Sequence, residues 1–155
     1  MRRYPRTPPR LYRVVPSNPL YFITACTYRR RPILASNPVT TAFVEFAERA
    51  YSAHSIAVGR YVIMPDHIHL FVCGSDDFQL GAWIGLLKQC LAKRAVRAPS
   101  ADPVWQRRFF DHVLRSDESY AQKWNYVRDN PVRAGLVTNA DDWPYAGEII
   151  TIDRV

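Results

Sequence analysis

The chain has 155 residues, 48% of them hydrophobic and 23% charged, a balance and length that suit one domain spanning residues 1–155. Its net charge is +7, and no apolar run is long enough to cross a bilayer or to serve as a signal-peptide core. We therefore expect a cytoplasmic protein with no membrane partner. Cys26, Cys73 and Cys90 lie far apart in apolar contexts, which predicts buried thiols and neither a disulfide framework nor a zinc site.

The positive charge is concentrated in the first fifth of the chain. Residues 1–31 hold eight arginines and no acidic residue. Arginine suits bidentate contact with phosphate, and tyrosines placed among arginines can stack on unpaired bases. We predict that residues 1–19, rich in proline, form a flexible DNA-binding arm, with a solvated basic tail as the simpler alternative. The predicted DNA-binding arginines are Arg2, Arg3, Arg6, Arg10, Arg13, Arg29, Arg30 and Arg31.

The first strand and the first helix follow this arm. Residues 20–27 are rich in aromatic and β-branched side chains and predict a strand. Asn37 and Pro38 have the pattern of a helix N-cap followed by a first-turn proline. An apolar stripe at i, i+3, i+4 and i+7 then predicts an amphipathic helix over residues 38–53.

A hairpin comes next, followed by a second helix. Residues 55–64 and 67–73 predict two strands joined by a turn at Pro65-Asp66, in which Asp66 has only a turn role. A stripe of apolar residues predicts a helix over residues 79–97. Its basic side chains form either a solvated face or a DNA backbone contact, and Lys88 is the preferred candidate for a phosphate contact.

The last third of the chain predicts a strand and a helix. Residues 104–108 predict a fourth strand that continues toward Leu114 after a bulge. Ser116 is a good N-cap for a helix over about residues 117–130, which ends there because Pro131 disfavours helical geometry in the residue before it. The remaining tail is expected to pack irregularly on the surface.

The order of these elements is strand, helix, strand, strand, helix, strand, helix. Two β-α-β halves joined by a hairpin predict an antiparallel sheet with helices on one face, which is a ferredoxin-like α+β sandwich. The hairpin strands can lie at the centre of such a sheet, where functional side chains would be held rigidly.

The hairpin carries the first candidate site residues. His67 and His69 are two apart on a predicted strand, so both imidazoles project from the same face. Two imidazoles on a rigid strand make a two-point metal site. The alternative is a pair of ordinary half-buried histidines.

The last helix has two different faces. Tyr120, Trp124 and Val127 fall at i, i+4 and i+7 and should pack on the core. Tyr126 and Asn130 fall at i and i+4 on another face, where a phenol and an amide oxygen can act together. A half-buried aromatic and a helix C-cap are the simpler interpretations of these two residues, and Tyr120 is the rival nucleophile.

Residues 65–70 (PDHIHL) and 125–137 (NYVRDNPVRAGLV) together strongly resemble the REP-associated tyrosine transposases, bacterial relatives of the small single-strand transposases of the HUH class. Residues 21–24, 27–32 and 105–107 are similar to the family as well. The resemblance extends from about residue 12 to residue 145.

This resemblance implies an HUH-type active site. It makes His67, His69 and Asn130 the ligands of a divalent metal, Mg²⁺ or Mn²⁺, and Tyr126 the nucleophile. The implied activity is a single-stranded DNA endonuclease and strand transferase that acts on REP-type palindromic hairpins through a 5′-phosphotyrosine intermediate. No small-molecule substrate is expected, and a monomer, or a weak homodimer, is the expected state.

Two other classes of function are alternatives. One is a non-catalytic nucleic-acid-binding module of the same fold, which would not need the two histidines, the tyrosine and the asparagine together. The other is a zinc-dependent deaminase, which the sequence excludes because it has neither a His-x-Glu nor a Cys-x-x-Cys motif.

Overall fold

The structure is a computed structural model that describes residues 13, 14, 16, 18–98, 100–115 and 118–154. The described residues form seven strands and four α-helices. The strands are β1 (Arg13–Val14), β2 (Tyr21–Cys26), β3 (Ala57–Ile63), β4 (His67–Cys73), β5 (Phe110–Val113), β6 (Ala146–Glu148) and β7 (Thr151–Ile152), and the helices are α1 (Asn37–His54), α2 (Leu80–Ala95), α3 (Tyr120–Arg128) and α4 (Asn130–Arg133).

Five strands form one antiparallel sheet in the order β5-β2-β4-β3-β6. Its first four strands have the order of two β-α-β halves joined by the β3–β4 hairpin, so the predicted ferredoxin-like α+β fold is confirmed. β4 lies at the centre and pairs with β2 over six residues. The predicted bounds of β4 are those observed.

Helices cover both faces of this sheet. On one face, Tyr61 of β3 packs against Phe43 of α1, with 4.6 Å between ring centroids. On the other, Phe71 of β4 packs against Tyr120 of α3 at 4.8 Å. Leu70 pairs with Tyr61 and faces α1 and α2, so the alternation along β4 places His67, His69 and Phe71 on the α3 face. The prediction that the helices share one face is therefore wrong for α3.

Helix α1 begins one residue earlier than predicted. Its N-cap is Ser36, whose side chain accepts a hydrogen bond from the backbone N–H of Val39, and Asn37 is already helical. Serine and asparagine are nearly equivalent N-caps, so the sequence could not choose between neighbours.

Two predictions in the second half of the chain are partly wrong. Residues 104–108 do not form a strand, since Trp105 makes only an isolated bridge with Thr27, but the predicted continuation toward Leu114 contains β5. The helix predicted over about residues 117–130 is α3, which begins at Tyr120 with Ser119 as its N-cap. The predicted cap, Ser116, lies outside the described residues. Helix α3 ends at Arg128, and a separate short helix, α4, holds proline in its first turn, where its missing N–H costs nothing.

The tail is more regular than predicted. β6 adds to the outer edge of β3, with Arg60 opposite Glu148, and β7 pairs in parallel with β1. The three residues of β6 include none that is β-branched, so they have little strand preference of their own. Pairing with β3 is what places them in the sheet.

The cysteines are free thiols, as predicted, but they differ in burial. Cys73 is buried, and burial raises its pKa to about 11, whereas Cys26 and Cys90 are only partly buried. Within the described ranges, no helix has the length and apolar character needed to span a membrane.

Candidate active site

His67 and His69 lie side by side on β4, facing α3. Their ring centroids are 4.7 Å apart and their planes are nearly perpendicular, at 79°. The ring of His69 stacks on Phe22 of β2 at 5.3 Å, which fixes it from one side. The predicted juxtaposition of the two imidazoles is therefore present.

Each imidazole is oriented through its Nδ1 atom. Nδ1 of His67 donates to Oδ1 of Asp66 at 2.7 Å, and Nδ1 of His69 lies 2.8 Å from Oγ1 of Thr24, its cross-strand partner. Within the described part of the chain, neither Nε2 atom has a hydrogen-bonding partner. This arrangement is the one that metal-ligating histidines adopt, with the second nitrogen held by an acceptor of the protein.

Asp66 connects the turn to the histidine pair. Its Oδ2 accepts a hydrogen bond from Nε of Arg30 at 2.9 Å, and its backbone oxygen accepts one from the N–H of Thr27. Partial burial alone would raise the pKa of Asp66, but the hydrogen bonds from Arg30 and His67 outweigh it and lower that pKa. The prediction that Asp66 has only a turn role is incomplete, since its carboxylate also orients His67.

Arg30 reaches this position through an unusual backbone. Arg29 and Arg30 both have a φ of 54°, in the left-handed region that L-residues seldom adopt. The turn brings the guanidinium of Arg30 to 3.3 Å from Nδ1 of His67 and 3.5 Å from Sγ of Cys26. A positive charge consequently lies beside the histidine pair.

The surroundings keep both histidines neutral. Burial, followed by the repulsion that a protonated His67 would exert and by the positive charges of Arg133, Lys123 and Arg30, lowers the pKa of His69 to about 3. Burial also lowers the pKa of His67, and the Asp66 carboxylate offsets part of that effect. Neutral imidazole is the form that binds metal ions.

The donor set suits a divalent cation with mixed nitrogen and oxygen ligands. Among the described residues, no group of three His, Cys, Asp or Glu side chains is placed to hold a metal. A third protein ligand would therefore come from another residue type, and the amide oxygen of Asn130 remains the predicted one. Imidazoles suit several first-row metals, zinc included, whereas a carbonyl oxygen suits Mg²⁺ or Mn²⁺, and these two ions stay the predicted cations.

Tyr126 lies on α3 with 67% of its surface exposed. The guanidinium of Arg133 stacks over its ring at 4.1 Å, and Nη2 of Arg133 donates to the backbone oxygen of Tyr126 at 2.8 Å. The charge of Arg133 is also among the causes that lower the pKa of His69. Asn130 is half-buried. It is the first residue of α4, whereas Tyr126 lies on α3, so the two residues do not share one continuous helix.

Tyr120, the rival tyrosine, is part of the core. It is 3% exposed, and its Oη accepts a hydrogen bond from the backbone N–H of Arg60 at 2.9 Å. The β3–β4 ladder is irregular between Val58 and Tyr61, and the phenol replaces a ladder partner there. Burial raises the pKa of Tyr120 well above its ordinary value, which makes it a poor nucleophile.

The predicted DNA-binding residues have different surroundings. Arg31 donates to the backbone oxygen of Pro103, and Lys88 donates to those of Gln106 and Arg108, so both help to anchor residues 103–108. Burial lowers the pKa of Lys88. Their contact with DNA stays a prediction, as does that of the exposed Arg29. Arg2, Arg3, Arg6 and Arg10 lie outside the described residues, and only the backbone of Arg13 is described.

Sequence reasoning missed three residues that support this site: Thr24, Lys123 and Arg133. The aspartate next to His67 gave a usable signal, because a carboxylate beside a ligand histidine is a common orienting partner. Thr24 gave none, since its contact with His69 depends on the register between β2 and β4.

Comparison with known proteins gives consistent matches. The family model described as Transposase IS200 like matches residues 17–130. A protein of Haemophilus influenzae assigned to the REP-associated tyrosine transposases is 30% identical over 141 residues, covering 82% of this chain and 78% of the relative. The REP-associated tyrosine transposase of Escherichia coli is 30% identical over 92 residues, covering 57% of this chain and 52% of the relative.

A solved structure has the same fold. It is that of a REP-associated tyrosine transposase bound to a REP hairpin, with a TM-score of 0.67 and 21% sequence identity, covering 86% of this chain and 79% of that chain. At this identity the match establishes the architecture of the sheet and its helices.

Proposed function

This chain belongs to the IS200-like transposases, enzymes that cleave DNA and transfer strands, and we propose that it does so on single-stranded DNA with Tyr126 as nucleophile and a divalent cation as cofactor. We propose REP-type palindromic hairpins as its substrate, by analogy with the hairpin bound in the related structure. REP-associated relatives with 30% identity support this choice.

One observation carries the proposal. His67 and His69 are held at Nδ1 by Asp66 and Thr24, which leaves both Nε2 atoms available on the face that α3 covers. Packing alone, including the stacking of His69 on Phe22, does not account for two oriented neutral imidazoles, since apolar residues would fill the same space at lower cost in desolvation. A cation site explains them.

Three residues would hold the cation. His67, His69 and Asn130 would bind Mg²⁺ or Mn²⁺, which would supply charge neutralisation at the non-bridging oxygens of the scissile phosphate and favour the phenolate. The protein contributes the fixed imidazoles and a positive surrounding from Arg30 and Arg133, which also attracts the DNA backbone.

Tyr126 provides the covalent step. Its Oη forms a bond to phosphorus while the bond from phosphorus to the 3′ oxygen breaks; the phenol loses its proton to water, and the leaving oxygen takes one up. The products are a 5′-phosphotyrosine and a free 3′-hydroxyl. Attack by another 3′-hydroxyl reverses the step and joins strands without ATP, because the phosphotyrosyl bond retains the energy of the phosphodiester. Arg133 holds the tyrosine ring from one side.

The test is a search for the covalent intermediate. A labelled single-stranded hairpin taken from the DNA beside the gene is mixed with the protein and Mn²⁺, and a denaturant-resistant protein–DNA adduct is measured on a gel. We expect the adduct with the wild type and its complete loss in Tyr126→Phe, since phenylalanine has no nucleophilic oxygen.

Tyr120→Phe is the matched control. It should retain the adduct while lowering the free energy of unfolding by about 1–3 kcal/mol, because the buried N–H of Arg60 loses its acceptor. Loss of the adduct in Tyr120→Phe alone would show that Tyr120 is the nucleophile and that its assignment to Tyr126 is wrong. Tight DNA binding without any adduct would instead favour a non-catalytic binding module.

A further inference from the structure

A pocket of about 240 Å³ opens between α3, β3, β6 and the turn before β6. This volume is below the range of about 300–1,000 Å³ that is typical for a whole drug-sized ligand, so it suits one small group. The side chains that give it its chemistry are Arg60, Trp124, Arg128, Asp141, Trp143 and Glu148.

The pocket and the histidine pair lie on the same face of the sheet, on opposite sides of α3. On one side, Nζ of Lys123 lies 5.0 Å from the ring centroid of Phe22 on β2. On the other, the guanidinium of Arg60 on β3 lies 5.8 Å from the ring of Trp124. Trp124 and Arg128 are each two residues from Tyr126, which places them across the helix from it. A single DNA strand that crosses α3 would therefore pass from Tyr126 to the pocket.

Aromatic and guanidinium groups dominate the lining. Trp143 is fixed by the hydrogen bond from its indole N–H to the backbone oxygen of Ile63 at 3.0 Å and by an edge contact with Tyr145. The indole N–H of Trp124 has no acceptor among the described residues. Indole rings and arginine planes are the groups on which unpaired nucleobases stack.

The charges in the pocket are balanced. Nε of Arg60 pairs with Oε2 of Glu148 at 3.2 Å, and Nη2 of Arg128 pairs with Oδ1 of Asp141 at 2.6 Å. A phosphate site would present arginines without carboxylate partners. This lining suits a neutral heterocycle that offers both donors and acceptors, because carboxylates and guanidiniums have capacity for more than one hydrogen bond.

We propose that this pocket binds one unpaired nucleobase of the DNA strand, flipped out beyond α3 a few nucleotides from the bond that Tyr126 attacks. This assignment rests on the proposed function, because it takes single-stranded DNA as the ligand. Trp124 provides the stacking surface, and Arg128 and Arg60 border the edge of the base.

The experiment separates bases from phosphates. All variants carry Tyr126→Phe, so no strand is cut. Each is titrated at fixed salt with short oligodeoxycytidine and with an abasic oligomer of the same length, which keeps every phosphate. Trp124→Leu should weaken binding of oligodeoxycytidine about tenfold and leave binding of the abasic oligomer unchanged. Trp124→Phe, which retains an aromatic ring, should bind both oligomers nearly as Tyr126→Phe alone does.

A second measurement covers the case in which Trp124→Leu fails to fold. Oligodeoxycytidine should quench the tryptophan fluorescence of Tyr126→Phe, the abasic oligomer should not, and Trp124→Phe should reduce the quenching. Equal weakening of both oligomers, or no change with either, would overturn the pocket assignment. The adduct assay on the wild type reports on the proposed function separately: an adduct without base-selective binding rejects the pocket alone, and base-selective binding without an adduct rejects the proposed chemistry alone.

Discussion

At the scale of single residues, the candidate site depends on how two imidazoles are oriented. Asp66 holds His67 and Thr24 holds His69, each through Nδ1. A carboxylate provides a stronger and more directional acceptor than a hydroxyl. The Thr24 contact is therefore the more sensitive test of the idea that orientation, and not only the presence of imidazole, determines cation binding.

Thr24→Val removes this contact while keeping a β-branched side chain of similar shape in β2. We expect the affinity for Mn²⁺ to fall about 10- to 100-fold, the usual cost of losing an orienting partner. Titration of Mn²⁺ followed by electron paramagnetic resonance measures it. Thr24→Ser, which keeps the hydroxyl, is the control and should bind Mn²⁺ nearly as the wild type does. Unchanged affinity in Thr24→Val would show that Thr24 has no role in the cation site.

The low pKa of His69 predicts a pH dependence of stability in the presence of a chelator. Between its folded value of about 3 and its ordinary value of 6.5, the unfolded chain binds a proton that the folded chain does not. The contribution of His69 to stability is therefore complete above pH 6.5 and is lost as pH falls, by about 1.4 kcal/mol per unit at most. His67, whose pKa is also lowered, adds to the same trend.

Denaturant unfolding at several pH values between 7 and about 4.5 checks this trend; the lower bound avoids titration of Asp66. His69→Asn should flatten the curve, whatever its effect on absolute stability. His54→Asn, at the exposed end of α1, should leave the slope as it is. A wild-type curve that does not fall toward acidic pH would contradict the burial of neutral histidine.

At the scale of elements, α3 is positioned by close packing against β3. Tyr120 lies over Gly59, where an added Cβ atom would come within 2.5 Å of the phenol oxygen and 2.9 Å of Ile152. The absence of a side chain at Gly59 is thus what allows α3, the helix that carries Tyr126, to approach the sheet.

Gly59→Ala should lower the free energy of unfolding by about 1–3 kcal/mol, because the helix must shift to relieve the overlap. Urea denaturation measures it, and the same shift should reduce adduct formation. Gly85→Ala in α2 is the matched control: no atom lies within 4 Å of its added Cβ, and alanine should stabilise the helix by about 0.5–1 kcal/mol. Equal effects of the two substitutions would contradict the close approach of α3.

The elements also show what sequence could predict. β4 and the hairpin were predictable because alternating apolar residues and a Pro-Asp turn are local signals. β6 was not, since its residues carry no strand preference and depend on the open edge of β3. The residues around Trp105 were mistaken for a strand, because their apolar side chains serve single contacts, such as the indole hydrogen bond to the Lys88 carbonyl.

The same distinction applies to the candidate site. The histidine pair was predictable from its spacing, which places both rings on one face of a strand. The burial of Tyr120 and the exposure of Tyr126 followed from helical periodicity. The contact of Thr24 was not predictable, because it joins residues far apart in the chain and depends on the register between two strands. The contact of Arg133 with Tyr126 was not predictable, because it depends on the break between α3 and α4.

At the scale of the whole molecule, the two faces of the sheet carry different features. α1 and α2 cover one face, and the histidine pair, α3 and the pocket share the other. α3 packs on the sheet of its own chain through Tyr120 and Phe71. The monomer in which Tyr126 acts on DNA held by the same chain stays a prediction.

The charge distribution gives the last prediction. If the arm binds the DNA backbone, replacing Arg2, Arg3, Arg6 and Arg10 with glutamine should weaken single-stranded DNA binding. The plot of log affinity against log salt should then become shallower by about 0.7 for each lost phosphate contact, or about 3 for all four. Fluorescence anisotropy at several salt concentrations measures both effects.

A matched variant separates this local effect from net charge. It replaces four exposed basic residues on or beside α1 and α2, the helices that cover the opposite face, with glutamine: Arg49, Lys93, Arg94 and Arg97. Both variants lose four positive charges, so a purely long-range attraction would weaken DNA binding equally in the two. We expect only the arm variant to lose salt dependence, because direct phosphate contacts release counterions and distant charges do not. A shallower slope in the second variant alone would indicate that the DNA backbone contacts the basic side chains of α2. The arm would then be a solvated tail.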